Sequence, residues 1–264
     1  MADRYTSQIA LVLDQPLSDV GAVIGAARAA RDIDRSAPVA SDPASAHEVH
    51  WGGRMQKAVV RHLTDTGEPL LRTEAYVGAE GLEHGMQRQA QLLQALTRQL
   101  PDRVRRVRDL SAMADRDSAW VNRVAVGSVE YADAIEVLAD GDGTWWVRTH
   151  GAARFDVPDL ELYGLARAHV AAAAAAIEHV HGQLLAGGLK EALSLPDGTP
   201  VYLVPVLEAW QHLPFDWPGV GRAGVDRGPG LDGPRASLSV LHRPRFGKYK
   251  RDFAGVVGRL AGAR

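Results

Sequence analysis

Residues 144–165 read TWWVRTHGAARFDVPDLELYGL, and they constrain the fold more than any other stretch of the chain. Gly141, Asp142 and Gly143 precede them and separate two runs of strand composition, 129–138 and 144–149. A tight hairpin turn needs positive φ, which Gly and Asp adopt most readily, so the two runs are expected to pair. Alternation along the second strand puts Trp145, Val147 and Thr149 on one face and Trp146, Arg148 and His150 on the other. The first face is apolar. The second sets an indole beside a guanidinium and an imidazole. Gly151 ends the strand, and Pro158 keeps the chain extended into Asp159, Glu161 and Tyr163. These alternate with Leu160 and Leu162 as in a short edge strand. Arg148, His150, Arg154, Asp156, Asp159 and Glu161 are thereby expected to crowd one sheet end, as rim residues paired around a buried Trp-Trp anchor.

The surrounding chain is that of an ordinary soluble domain. Of its 264 residues 46% are hydrophobic and 23% charged, enough for one large domain or two small ones. A net charge of -2 gives no global field that would favour nucleic acid or an anionic membrane. The absence of cysteine excludes disulfides, thiolate catalysis and sulfur-ligated metals together. No apolar run approaches the roughly 20 residues of a membrane span. The opening MADRYTSQ lacks the apolar core of a signal peptide, so a cytoplasmic protein is expected. Richness in Ala, Arg and Gly suggests a bacterial source of high GC content.

Taken in order, 8–14 reads as a buried strand, and 19–33 as a helix capped by Ser18. Residues 36–45 read as a Pro/Ser/Asp/Ala linker. Strands are expected at 47–51, 56–63 and 70–77, and a helix at 81–100 with Leu82, Met86, Leu93, Leu96 and Leu100 on its apolar stripe. RVRRVR, 103–108, alternates Val with Arg and suits an edge strand whose charges discourage further pairing. The strongest helix signal is 165–186. Six consecutive alanines favour it, and Val170, Ala173, Ile177, Val180 and Leu184 form its stripe. Strands flank the Pro196-Asp197-Gly198 turn, 214–234 reads as a Gly/Pro-rich loop, 236–242 as a strand and 249–261 as a helix.

The expected class is therefore α+β, with mostly antiparallel sheet and helices packed on one face. Its elements suggest two similar strand-helix-strand-strand-helix units, 1–110 and 111–264, or one continuous domain.

Each candidate for chemistry has a structural alternative. His47-Glu48-Val49-His50 is one residue short of the H-E-x-x-H zinc motif, and in a strand its histidines point to opposite faces. His179 and His181 on the Ala-rich helix diverge by about 200° and cannot share an ion; with Glu178 they are expected on a solvated face. No metal site and no cofactor is expected. There is no G-x-S-x-G elbow. His150 with Asp159 or Asp156 could form an acid–base pair, because imidazole titrates near neutrality and a carboxylate can set its tautomer. Trp146, Arg148, Arg154 and Glu161 are the candidate ligand-binding residues, the arginines for a carboxylate or phosphate and the indole for stacking. GVGRAG, 219–224, follows no strand-to-helix transition and is weak as a phosphate cradle. The basic-aromatic run HRPRFGKYKR, 242–251, is read as a solvated connection rather than a nucleic-acid patch. Trp210, Phe215 and Trp217 form a second aromatic cluster, to plug a sheet end or to meet a partner.

Trp146, Thr149, His150, Gly151, Arg154, Phe155, Pro158, Asp159, Leu160, Glu161 and Leu162 resemble a segment of uncharacterised bacterial domain families. In these a Trp-rich strand leads into Thr-His-Gly, Arg-Phe and Pro-Asp-Leu-Glu-Leu. The likeness covers about a tenth of the chain and implies no activity. Two functions are carried forward: a partner-binding accessory or immunity-like protein, and a metal-free enzyme or small-anion binder built on His150, Arg148 and Arg154.

Overall fold

A computed structural model describes residues 7–52, 57–65, 67–77, 81–187, 193–221, 234–242 and 250–262. The chain divides into two compact units, 1–134 and 135–264. Both are α+β. One holds an all-antiparallel sheet, the other a mixed sheet in which a single strand pair is parallel.

The first unit opens with β1 (Ser7–Leu13), α1 (Val20–Ala29), β2 (Arg35–Pro38), β3 (Ala46–His50), β4 (Lys57–Leu63) and β5 (Leu70–Ala75). It continues through α2 (Gly81–Arg98), β6 (Val104–Asp109), β7 (Ala114–Arg116), α3 (Ser118–Val126) and α4 (Tyr131–Ala134). The strand order is β2-β3-β4-β5-β1-β6-β7. Strand β1 is inner and apolar from Ile9 onward, and Ile9, Ala10, Leu11 and Val12 are fully buried. Helix α2 buries Met86, Ala90, Leu93 and Leu96 at the expected helical spacing. Among them sits buried Gln89, which accepts from Ser7 Oγ at 2.5 Å and donates to Thr73 Oγ1 at 3.1 Å. It thus ties α2 to β1 and β5.

Three expectations for this unit are corrected. Asp19 rather than Ser18 stands at the α1 N-cap, without a side-chain cap bond. The stretch read as a linker contains β2, an exposed strand held by its pairing with β3. Strand β6 is not an edge, because the three-residue β7 pairs beyond it; Arg106 and Arg108 are neutralised by Glu68 instead.

The second unit runs β8 (Glu136–Asp142), β9 (Thr144–His150), β10 (Asp159–Leu165), α5 (Val170–Gly187), β11 (Leu193–Ser194), β12 (Pro200–Pro205), α6 (Val206–Ala209), β13 (Arg235–His242), β14 (Lys250–Asp252) and α7 (Phe253–Gly262). Its order is β11-β12-β13-β10-β9-β8, with β14 paired to β13. The expected hairpin is β8–β9, closed at Gly143 with φ +82. Residues 131–134, expected at the start of the first hairpin strand, are instead the short helix α4. Strand β10 is central rather than an edge, with β9 antiparallel on one side and β13 parallel on the other. Helix α5 buries Ala173, Ile177, Val180 and Leu184, as its stripe predicts, and packs on β9, β10 and α7. His181 is also buried, not solvated: its Nε2 lies 2.9 Å from the Pro158 carbonyl, and burial pushes its pKa down to about 4. The last helix begins at Phe253, after β14. Most of the basic-aromatic run and most of the Gly-rich loop lie outside the described residues, which exclude 222–233 and 243–249.

Candidate functional site

The alternation expected for β9 holds: Trp146, Arg148 and His150 project together. The neighbouring strands complete their surface. Glu161 stands opposite Arg148 in the β9–β10 pairing, and Arg235 enters from the start of β13.

Glu161 is the centre. It is fully buried, and its carboxylate accepts from three donors. Trp146 Nε1 donates at 3.0 Å, Arg235 Nη1 donates at 2.7 Å, and the Tyr163 hydroxyl donates over a short bond. Trp210 Nε1 in turn donates to Tyr163 Oη at 3.0 Å. A buried carboxylate persists only with this degree of satisfaction, since an unpaired charge in a low-dielectric interior costs several kcal/mol.

On the other side of Arg235 the network runs through His150. Arg235 Nη2 faces its Nδ1 at 2.8 Å, and Arg148 Nε faces its Nε2 at 3.1 Å. Arg148 also stacks over the Trp146 ring, 4.0 Å from the centroid, and pairs through Nη1 with Asp140 on β8. Asp140 is 59% exposed, so the chain of contacts from Trp210 to Asp140 begins inside the unit and ends at the solvent. A neutral imidazole has one acceptor nitrogen, yet here both nitrogens meet guanidinium N–H groups. His150 is therefore met by one more N–H donor than a neutral imidazole can accept, while each guanidinium has its own carboxylate partner.

Trp146, Arg148, His150 and Glu161 are thus brought into one network. Asp159 is buried two residues before Glu161. Its Oδ1 accepts from Thr149 Oγ1 and from the Ala152 amide, both at 3.1 Å, and burial pushes its pKa up to about 6. Arg154 is fully buried on the 3-10 turn Ala152–Phe155 that follows β9. Asp156 is exposed. The expectation of a solvent-washed rim is overturned, because all of these except Asp156 lie inside the unit. Arg235, Tyr163, Trp210 and Asp140 are the members that sequence reasoning missed. The glycine inside the LELYGL strand pattern signals close approach of another group, but that group is Trp217 and none of these four.

What covers this face is the segment after β12. Val206, Trp210, Leu213, Trp217 and Val220 pack with Trp146 and Tyr163 in one apolar cluster. The Trp146 and Tyr163 rings lie parallel, 6.2 Å apart. The second aromatic cluster therefore divides. Trp210 and Trp217 turn inward, while Phe215 between them is 81% exposed. Among the described residues no group of three or more His, Asp and Glu is placed to hold a metal ion, and no helix is long and apolar enough to cross a membrane. The chain matches no protein-family model, no curated protein and no solved structure.

Proposed function

We propose that this chain is a partner-binding protein of the accessory or immunity-like kind, acting in the bacterial cytoplasm without catalysis of its own. The observation that supports this reading is the presentation of Phe215. Its ring is 81% exposed on a segment whose neighbours Leu213, Trp217 and Val220 are packed against Trp146, Tyr163 and Trp210. An aromatic side chain held out by an ordered segment makes a strong anchor, because little conformational freedom is lost on docking. Asp216 beside it is exposed, so the fitting partner surface is an apolar pocket with a basic rim. In this reading the Glu161 network is the foundation, tied to the presenting segment by the Trp210–Tyr163 bond.

The test is a photo-crosslinking phenylalanine analogue at 215 in cells that produce the protein, with the same probe at the exposed Glu178 as control. A discrete protein adduct from 215 alone, lost when Asp216→Lys is added, is the expected result. No adduct, or the same adducts from both positions, overturns the reading.

The second reading, a small-anion binder or metal-free enzyme at His150, Arg148 and Arg154, draws support from the histidine flanked by two guanidiniums. An anion entering beside His150 would relieve that excess of donors. Titration with inorganic phosphate tests it: binding that disappears in Arg148→Ala supports this reading, and its absence removes it.

A further inference from the structure

The first unit holds a cleft of about 280 Å³ between the C-terminal half of α2, strand β6 and the start of α3. We propose that this cleft is a binding site for a small phosphate monoester with a hydroxylated body, a sugar phosphate by class.

The argument begins with a defect in the sheet. In the β1–β6 ladder Val12 pairs with Arg106 and Leu13 with Val104, so Arg105 is an extra residue without a partner across the ladder. Such a bulge redirects the side chain of its extra residue and is a recurrent device beside binding sites. Arg105 lines the cleft, is exposed, and makes no ion pair or hydrogen bond among the described residues. By contrast Arg106 and Arg108, its neighbours on β6, are both paired with Glu68. The arginine of β6 left uncommitted is the one that the bulge sets beside a cavity.

Two more arginines line the same cleft. Arg98 reaches in from α2. It is oriented by Gln94 Oε1 at 2.9 Å and touches Asp32 at 3.2 Å, yet its side chain stays 57% exposed. Arg116 comes from the end of β7, its guanidinium held 5.6 Å over the Trp120 ring and donating through Nη2 to the Ala132 carbonyl at 3.1 Å. The one acid lining the cleft, Asp117, has its Oδ1 engaged by the Trp120 amide at 2.7 Å, as the cap of α3. The balance is positive, and the occupant it calls for is an anion.

The geometry selects the class. The lining arginines stand on three separate elements, α2, β6 and β7. A phosphoryl group offers oxygens around a tetrahedron to match them, whereas a carboxylate offers two in a plane. The cavity exceeds a bare phosphate, and the rest of its wall carries Gln94, Thr97, Ser118 and Asn122, amides and hydroxyls suited to a polyhydroxy body. Gln94 is already set, donating to Asn122 Oδ1 at 2.9 Å, so part of the wall is pre-organised.

The experiment is calorimetric titration of the full chain with glucose 6-phosphate, glucose, inorganic phosphate and citrate, in wild type, Arg105→Ala, Arg98→Ala and the remote control Arg28→Ala. Saturable binding of glucose 6-phosphate is expected, weaker binding of phosphate and none of glucose. Loss of one charged hydrogen-bonding partner should weaken it about tenfold or more in Arg105→Ala and Arg98→Ala, and leave Arg28→Ala unchanged. Circular dichroism identical to wild type keeps the variants interpretable, and Arg105 is exposed enough for its truncation to be tolerated. The proposal is overturned if glucose 6-phosphate does not bind, if Arg105→Ala binds it as well as wild type, or if citrate binds as tightly.

Discussion

The indole of Trp217 lies across Gly164, so close that a Cβ built on the glycine would fall 2.2 Å from the ring. Gly164 has φ +72 and sits in the stretch where the β9–β10 register shifts. The same relationship recurs one step away, where a Cβ on Gly219 would fall 2.4 Å from the Trp146 ring. Two glycines and two indoles thus lock the covering segment onto the sheet face, and they do so without a polar contact. Gly164→Ala should cost about 2–4 kcal/mol, combining a left-handed backbone with displacement of a packed ring. Chemical denaturation reads it, and a blue-shift or intensity change of tryptophan fluorescence should accompany it. A cost under about 0.5 kcal/mol would mean that Trp217 moves aside freely.

Glu161 tests the network from its centre. Glu161→Ala would strand Arg235, whose side chain is only 4% exposed, beside the orphaned Trp146 and Tyr163 donors. Breaking a buried pair on one side costs about 3–5 kcal/mol, so this variant should be among the least stable single substitutions of the second unit. Replacing both partners, Glu161→Leu with Arg235→Met, should recover part of the loss. Equal destabilisation by the single and the double variant in urea titration would show that the pair carries no coupling.

The parts of this fold legible in the sequence are those governed by short-range periodicity. The β8–β9 hairpin, the two faces of β9 and the stripe of α5 follow from alternation, positive-φ residues and helical spacing, each contained within a few residues. What failed was partner identity. Asp159 and Glu161 alternating with leucines look like a solvent-facing edge, yet β10 is central because Arg235, 74 positions further on, supplies the counter-charge. The valines and arginines of β6 misled in the same way, since Glu68 neutralises two of the arginines from outside the strand. Strand β2 was hidden by Pro and Ser, which read as a linker because a strand held only by β3 needs no apolar face. Composition reports whether a side chain is charged. It does not report whether a partner from elsewhere makes burial affordable.

Asp159 and His181, both buried with large shifts, give stability opposite dependences on pH. Asp159 rises from 3.8 to about 6, so the folded state binds its proton more tightly than the unfolded one. Its contribution falls as pH rises between those values and is lowest above pH 6. His181 falls from 6.5 to about 4, so the unfolded state binds more protons between them, and its contribution rises across that window. The two slopes nearly cancel in the wild type. Asp159→Asn should expose the His181 slope, with stability climbing by about 2–4 kcal/mol from pH 4 to 6.5. A flat profile in denaturant titrations of that variant would exclude the His181 shift.

Ile177 tests whether the Ala-rich helix is held by its stripe. It is fully buried on α5, flanked one turn away by Ala173 and Val180. With alanines supplying so little side-chain volume nearby, the cavity left by Ile177→Ala has few long neighbours to fill it, and a loss of about 2–4 kcal/mol is expected. A change under about 0.5 kcal/mol in urea would show that the stripe does not face the core.

The last test separates foundation from site. Arg148 and His150 lie between the Glu161 centre and the exposed Asp140, joined at 3.1 Å, with Arg148 stacked on Trp146. If they only brace the sheet face, Arg148→Ala with His150→Ala removes a cation–π contact and the hydrogen bonds of both residues. Stability should then fall by about 1–3 kcal/mol. Arg235 keeps its bond to Glu161, the apolar cluster under the presenting segment is untouched, and crosslinking through residue 215 should persist at temperatures where the variant is folded. A site built on these two residues behaves differently. The double variant would then keep a wild-type circular dichroism spectrum and lose the adduct or the phosphate binding. That second pattern would transfer the function from Phe215 to the buried network, because no change of packing at the segment would remain to explain the loss.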